Sequence, residues 1–363
     1  MMTNTTPLGE LVNVQTGKLD ANASSADGAY PFFTCAREPL RIAEWKYDLD
    51  AILIAGNGDL NVKHHVGRFD AYQRTYILDV KKTDVLDSRF LFHFMDKYVE
   101  RLREQSIGGI IKYIKLGMLT EAQIPLPPLE EQKRIAGILD QADALRRLRT
   151  RALDKLGTLG QAIFHEMFGD GVQTAKLTDL VLKITDGTHQ APEWADEGVP
   201  FIFVSNVRGQ TISLETNKYV TDNEYHRLIK RTSLAADDVI YTCVGSYGNA
   251  AVVGKKNRFV FQRHIAHIKP NPDKLDSVYL SYGLEAPTMR AQADRTATGI
   301  AQKTVTLTAL KKFDFPAPPM TRQREFRSRV DSIERMRASA QTAVGRQQAL
   351  FASLQHRAFL GEL

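Results

Sequence analysis

Several short stretches carry residue types that do chemistry elsewhere, and in each either the spacing or the setting is wrong. In "EEQK", residues 130 to 133, the carboxylates and lysine suit the acid-x-lysine end of a nuclease motif. They fall, however, in the first turn of a predicted helix, where acidic side chains complement the N-terminal dipole and need no catalytic role. "CVGSYG" around Ser246 lacks the glycine two residues before serine that a nucleophile elbow needs, and reads as a turn. Gly17-Lys18 is followed by Leu19 without the upstream glycine of a P-loop, and no glycine-rich dinucleotide fingerprint follows a strand. "NPDK" at 271 to 274 fails at the third position of the Asn/Asp-Pro-Pro-aromatic signature of adenine methyltransferases. His64, His65 and His93 form no spaced metal set, and Cys35 and Cys243 stand far apart, so neither zinc nor a disulfide framework is indicated. A reducing, cytoplasmic setting fits. The chain should not cleave, methylate or bind ATP by itself.

The elements that would position these residues emerge from a repeat. "IPLPPLEEQKRIAGILDQADALRRL" (124–148) returns as "FPAPPMTRQREFRSRVDSIERMRAS" (315–339) at a constant offset of 191, keeping Pro125/Pro316, Pro127/Pro318, Pro128/Pro319, Gln132/Gln323 and Asp140/Asp331. Proline removes a donor and pushes the residue before it away from helical angles, so a helix should begin just after Pro128 and Pro319. The first helix places apolar residues at Ile135, Ile138, Ala142, Leu145, Ala152, Leu156, Leu159 and Ile163. The second places them at Phe326, Val330, Ile333, Met336, Ala340, Ala343, Leu350 and Leu354, with Gln347 as a polar interruption. Both are heptad seams, and two at one spacing read as a pair. Gly157 and Gly160, in "KLGTLGQ", mark either a hinge or a tight approach.

Before each helix lie short β-rich runs: "DAILIAGNG" and "RTYILDV" in the first region, "VPFIFVSNV", "DDVIYTCVG" and "RFVFQRHIAHI" in the second. The regions echo each other, "LGELVNVQTG" (8–17) resembling "LTDLVLKITDG" (177–187) and "GGIIKYIKLGMLTEAQIPLPP" (108–128) aligning with "GIAQKTVTLTALKKFDFPAPP" (299–319). The chain reads as one unit written twice. The expected fold class is α/β in the α+β sense, with two mixed domains, two long helices pairing as an antiparallel coiled coil, and an internal pseudo-two-fold repeat. The expected limits are 1–122 for the first domain and 123–169 for its proline lead-in and helix, then 170–311 and 312–363 for the second pair. Hydrophobic residues at 43% and charged residues at 25% over 363 positions suit such a core-forming chain, and its net charge of +6 is a mild basic excess. The N-terminus shows no cationic segment followed by an apolar core, and no apolar run is long enough to span a bilayer, so export or membrane insertion is not expected.

The "PLPPLEEQKRIAGILD" segment, "FPAPPMTRQREF", "TDGTHQAPEWADEGVPFIFVSNV" (185–207) and "TGIAQKTVTL" (298–307) together resemble the specificity subunits of type I restriction-modification systems. The resemblance implies two target-recognition domains, each reading half of a gapped sequence in double-stranded DNA. It also implies no catalysis and no cofactor in the chain itself. Two methyltransferase subunits would use S-adenosylmethionine to methylate adenine, and two restriction subunits of the full complex would use ATP and Mg. "MTRQREF" departs from the Glu-rich "LEEQKRI" of the first copy, which bears on the symmetry of partner docking.

Polar residues in turns are the candidates for phosphate and base-edge contacts. In the first domain they are Asn57, Asn61, Lys63, His64, Arg68, Arg74, Lys112 and Lys115. In the second they are Thr188, His189, Gln190, Arg208, Gln210, Ser246, Tyr247, Asn249, Arg263, Gln302 and Lys303. Arg146, Arg147, Arg149 and Arg151, flanking the first seam, suit a solvated face, a partner interface or a phosphate track. Two other readings stay open: a self-sufficient nuclease or methyltransferase with worn motifs, and a helical scaffold whose side domains bind protein or sugar.

Overall fold

Helices begin at Leu129 and Met320, directly after the two proline segments. The computed structural model describes residues 5–169, 171–230, 232–300 and 302–363; Ala301, inside the run 298–307, lies outside the described residues. Two compact units result, one of Met1–Thr150 with Thr342–Leu363, the other of Arg151–Gln341. Each long helix is therefore shared between both.

Unit 1 contains β1 (Thr5–Pro7), β2 (Val12–Thr16), β3 (Tyr30–Phe33), β4 (Leu40–Ile42), β5 (Tyr47–Ala55), β6 (Val62–Ala71), β7 (Thr75–Val80), α1 (Ser88–Gln105), α2 (Leu116–Thr120), β8 (Gln123–Pro125) and the start of α3 (Leu129–Phe168). Its sheet has the order β2-β7-β5-β6-β3-β4, antiparallel except where β3 meets β6. Side chains alternate along a strand, and β5 shows the consequence. Ile52 and Ile54 enter the cluster formed with Leu91 and Met95 of α1 and Ile135 and Leu139 of α3, while Ala51 and Leu53 join Phe33, Phe69 and Ile77 on the other face. A strand buried on both faces explains the unbroken apolar run "AILIA".

Unit 2 repeats the plan with additions. It contains β9 (Thr174–Lys176), α4 (Leu177–Leu180), β10 (Val181–Asp186), β11 (Trp194–Ala195), β12 (Val199–Ile202), β13 (Val207–Arg208), β14 (Thr211–Ile212), β15 (Tyr219–Val220), α5 (Asp222–Leu228), β16 (Val239–Thr242), β17 (Ala250–Val252), β18 (Val260–Phe261) and β19 (Ile265–Pro270). Then follow α6 (Ser277–Leu284), α7 (Pro287–Thr296), α8 (Leu307–Lys311), β20 (Asp314–Pro316) and the start of α9 (Met320–Leu360). The main sheet runs β10-β19-β16-β17, and a smaller one runs β11-β15-β12-β18. In both units a short antiparallel pair, β1 with β8 and β9 with β20, ties the beginning of the domain to the proline segment.

A glutamine fastens each domain to its helix. Gln132, fully buried, donates to the carbonyls of Val85 (2.8 Å) and Pro127 (2.9 Å) and accepts from the amide of Asp87 (2.9 Å), the residue that caps α1. Gln323 donates to Lys274 and Pro318 (both 2.9 Å) and accepts from the amide of Asp276 (2.9 Å), which caps α6. A primary amide carries both donors and acceptors, so it satisfies three backbone groups where an apolar residue would satisfy none.

The long helices run antiparallel in each unit. In unit 1 Arg134 Nη2 of α3 donates to Leu363 O (2.8 Å), and Arg146 lies over the Phe351 ring of α9 (4.9 Å). In unit 2 Arg322 Nη2 of α9 donates to Met167 O (2.8 Å), and Phe164 and Phe326 meet edge to face at 5.4 Å. The seam register corrects the sequence reading. Ile135, Phe326 and Ile333 are buried and Ile138, Ala142, Leu156, Ile163, Ala340 and Leu354 partly so, but Leu145, Leu159, Met336 and Leu350 are exposed. In α9 one line of buried or half-buried positions, Phe326, Val330, Ile333, Arg337, Ala340, Val344, Gln347, Phe351, Leu354 and Ala358, alternates by four and three; Met320, Gln323, Arg327, Ser332, Ala343, Gln355 and Phe359 are covered beside it. The seam thus takes Arg337 and Phe351 in place of Met336 and Leu350, while Gln347 keeps its place as the polar interruption. In α3 it takes Arg146 in place of Leu145, whereas Gly160, buried beside exposed Leu159, packs against Tyr282 of α6. Long charged side chains bury their stems while keeping the head group wet, so passing over Arg146 and Arg337 for the apolar residue beside each puts the register one residue off.

Candidate nucleic-acid interface

Three loops meet at one end of each domain, joined by the same backbone hydrogen bonds. In unit 1 Gly56 N donates to Arg74 O (2.8 Å), Ile114 N to Gly56 O (3.0 Å) and Gly58 N to Lys112 O (2.9 Å), while Ile107 and Tyr113 close their loop with two bonds (3.0 and 2.9 Å). In unit 2 Cys243 N donates to His264 O (2.8 Å), Val305 N to Cys243 O (2.8 Å) and Gly245 N to Lys303 O (2.9 Å), and Thr298 and Thr304 close theirs (3.0 and 2.8 Å). The loops are those that follow β5 or β16, join β6 to β7 or β18 to β19, and precede α2 or α8.

These tips assemble many of the sequence candidates. Asn57, Arg74, Lys112 and Lys115 come together in unit 1; Ser246, Arg263, Gln302 and Lys303 do so in unit 2, where Thr188 O accepts from Arg263 N (3.1 Å). Apart from half-buried Asn57 and Thr188, these residues are exposed. Burial and the neighbouring Arg263 guanidinium push the His264 imidazole below its ordinary range. Gln73 and His264, in the same strand-to-strand turns, were not among the candidates; adjacency to Arg74 and Arg263 was the available signal.

A family comparison bears on what such paired tips are for. The family model described as the type I restriction modification DNA specificity domain matches residues 3–157 and again 169–342. The chain belongs to this specificity-subunit family. It is 42% identical over 136 residues to the type I restriction enzyme EcoDI specificity subunit of Escherichia coli, a match covering 38% of this chain and 30% of that one. It is 24% identical over 360 residues to the EcoBI specificity subunit of the same species, covering 88% of this chain and 74% of the relative. In fold it is similar to the type I restriction-modification S subunit from M. genitalium, with a TM-score of 0.63 at 15% identity over 99% of this chain and 96% of that one.

The remaining candidates of this specificity subunit lie elsewhere or are held by their own protein. Asn61, Lys63 and His64 line an open cleft of about 920 Å³ in unit 1, between β6, α1 and the paired ends of α3 and α9. There His64 Nε2 meets Asp50 (2.6 Å), Arg89 reaches His64 Nδ1 (2.9 Å) and pairs with Asp140, and buried His93 Nε2 meets Asp140 Oδ1 (2.8 Å). Burial lowers the His93 pKa against the pull of Asp140. Burial opposes ionisation of Asp140 as well, but Arg89 and His93 outweigh it and hold the carboxyl below its usual range. Desolvation lowers the Lys63 pKa to about 8. Asn61 Nδ2 is spent on Cys35 O and Asp59 O (2.9 and 2.7 Å), and Arg68 on Asp48 (3.3 Å) and the Trp45 face (4.6 Å).

In unit 2 His189 meets Asp186 (2.6 Å), Gln190 accepts from Arg227 (2.7 Å), and Gln210 donates to Ser281 O (3.3 Å). Tyr247 is buried with its hydroxyl on Asp294 (2.6 Å), Asn249 Nδ2 donates to Ser246 O (2.8 Å), and Arg208 is exposed on β13. Arg146 and Arg147 both pair with Asp143 (3.0 and 2.6 Å), which ties part of the arginine cluster to the helix itself; Arg149 is exposed, and Arg151 belongs to unit 2.

Proposed function

We propose that the chain is a non-catalytic subunit that reads a bipartite, gapped target in double-stranded DNA, one half-site per unit. It directs adenine methylation by two methyltransferase subunits, and restriction by two further subunits, which supply S-adenosylmethionine, ATP and Mg chemistry. The observation that carries this reading is one backbone framework built twice, with different exposed polar residues at each tip. Base edges in the major groove are told apart by side-chain donors and acceptors, whereas contacts to the phosphates set register. A repeated frame with unlike tips therefore suits two unlike half-sites. The family relatives, specificity subunits of restriction enzymes, support the same role.

The test is a methylome of cells expressing the chain with a cognate methyltransferase. Two defined half-sites with a fixed gap are expected. Methylation without sequence preference would favour a scaffold, and S-adenosylmethionine binding or metal-dependent DNA cleavage by the purified chain would establish an enzyme.

A further inference from the structure

We propose that Lys112 and Lys303 are matched phosphate anchors, one per tip, and that the residues around them carry the base reading. This assignment rests on the DNA-reading role above. Three observations lead to it. The lysines are equivalent in structure as well as in sequence: each offers its carbonyl to the amide of a glycine in the neighbouring turn, Gly58 or Gly245, at 2.9 Å. Each loop is preset by a glycine at positive φ, 115° at Gly108 and 104° at Gly299, where an added Cβ would stand 2.6 or 2.5 Å from the carbonyl oxygen of Ile111 or Gln302. L-residues disfavour that region, so the position of the lysine backbone is fixed in both units alike.

The second observation is residue type. Lysine stands at both points, while its neighbours on the same framework differ: Gln73 against Arg263, Arg74 against His264, Ile111 against Gln302. Lysine is a flexible point charge suited to phosphate, whereas Arg and Gln make the two-pronged contacts that distinguish bases. The third is electrostatic. Both lysines are exposed and neither forms an ion pair among the described residues, unlike Lys97, Lys133 and Lys176, each of which sits within 3 Å of a carboxylate. Lys303 lies within electrostatic reach of Asp294 but not in contact with it. An exposed cation with no close ion pair, held at one point of a repeated frame, fits the one feature both half-sites share, the sugar-phosphate backbone.

The experiment uses the chain with a cognate methyltransferase and the duplex that the pair methylates, alongside a scrambled duplex. Lys112→Ala and Lys303→Ala should each weaken binding to both duplexes and reduce the slope of log affinity against log salt by about 1. The methylated sequence should not change, and Lys→Arg at either site should restore the slope. Exchanging the neighbours, Arg263→Gln with His264→Arg, should alter bases in one half-site only. An unchanged salt slope in both alanine variants, or a changed base preference in them, would overturn the anchor assignment. An unchanged methylome after the neighbour exchange would overturn the reading assignment. A wild-type complex that selects no sequence would instead overturn the function and this inference with it.

Discussion

Where domain meets helix, the two units solve one part of the problem identically and another in mirror fashion. The glutamine clasp is the same in both, bond for bond. The ion pair is not. In unit 1 the arginine is on α1 (Arg89) and the acid on α3 (Asp140); in unit 2 the acid is Asp276, at the start of α6, and the arginine is Arg327 on α9 (2.9 Å). Asp331, the repeat partner of Asp140, is exposed. The clasp leaves no freedom because three buried backbone groups depend on one side chain. A partly exposed ion pair contributes little net energy and can be written from either side.

The comparison can be pressed hardest by moving a whole domain. Replacing residues 171–310 with the corresponding domain of a relative should change one half-site of the methylated sequence and leave the other intact. Change in both, or failure to assemble with the methyltransferase, would show that the two readings are not separable.

Next in size is the clasp itself. Gln132→Leu and Gln323→Leu should each cost roughly 3 kcal/mol or more in denaturant unfolding, because the desolvated donor and acceptors lose their partners. Asp331→Asn should cost about 0.5 kcal/mol or less, as for other surface changes. Equal effects at Gln323 and Asp331 would mean that repeat identity, and not burial, had been misread as importance.

The two glycines of α3 sharpen the contrast within one helix. A Cβ on Gly157 would meet nothing within 4 Å, so Gly157→Ala should stabilise by about 1 kcal/mol. On Gly160 it would stand 2.5 Å from the Tyr282 ring, so Gly160→Ala should destabilise despite the same gain in helix propensity. Thermal melts of the two variants should shift in opposite directions.

The smallest effect concerns the unit 1 cleft. Since burial lowers the Lys63 pKa to about 8, the fold penalises its charged form, and the unfolded chain holds the proton more tightly. The stability difference between wild type and Lys63→Met should therefore move in favour of wild type as pH rises from about 8 toward the ordinary lysine value. A difference that stays flat between pH 7 and 10 would place the Lys63 ammonium in full solvation.

Much of this frame could be read in advance because prolines and β-rich runs act locally. Pro128 and Pro319 place the helix starts, and "AILIA" and "VIYT" become the buried strands β5 and β16. The seam register was only partly legible: Gln347 holds its place as a polar interruption, but Arg146 and Arg337 look polar yet are half-buried, while Leu145 and Leu350 look apolar and face solvent. The tips were half legible. A turn residue's type tells whether it can bond, but not whether it bonds inward, as Asn61, Gln210 and Tyr247 do, or stands out, as Arg74, Lys112 and Arg263 do.

One further consequence concerns how such a chain drifts over generations. At Gly17 and Gly187 an added Cβ would sit 2.0 and 2.1 Å from the carbonyl oxygens of Ala71 and Phe261. Every missense codon change at either position introduces that atom, so both are closed to gradual substitution, while exposed Lys18 and half-buried Thr188 beside them are open to it. Fixed points of this kind let the surrounding letters turn over almost completely without moving the backbone, and they are the natural pins for aligning one diverged copy with another.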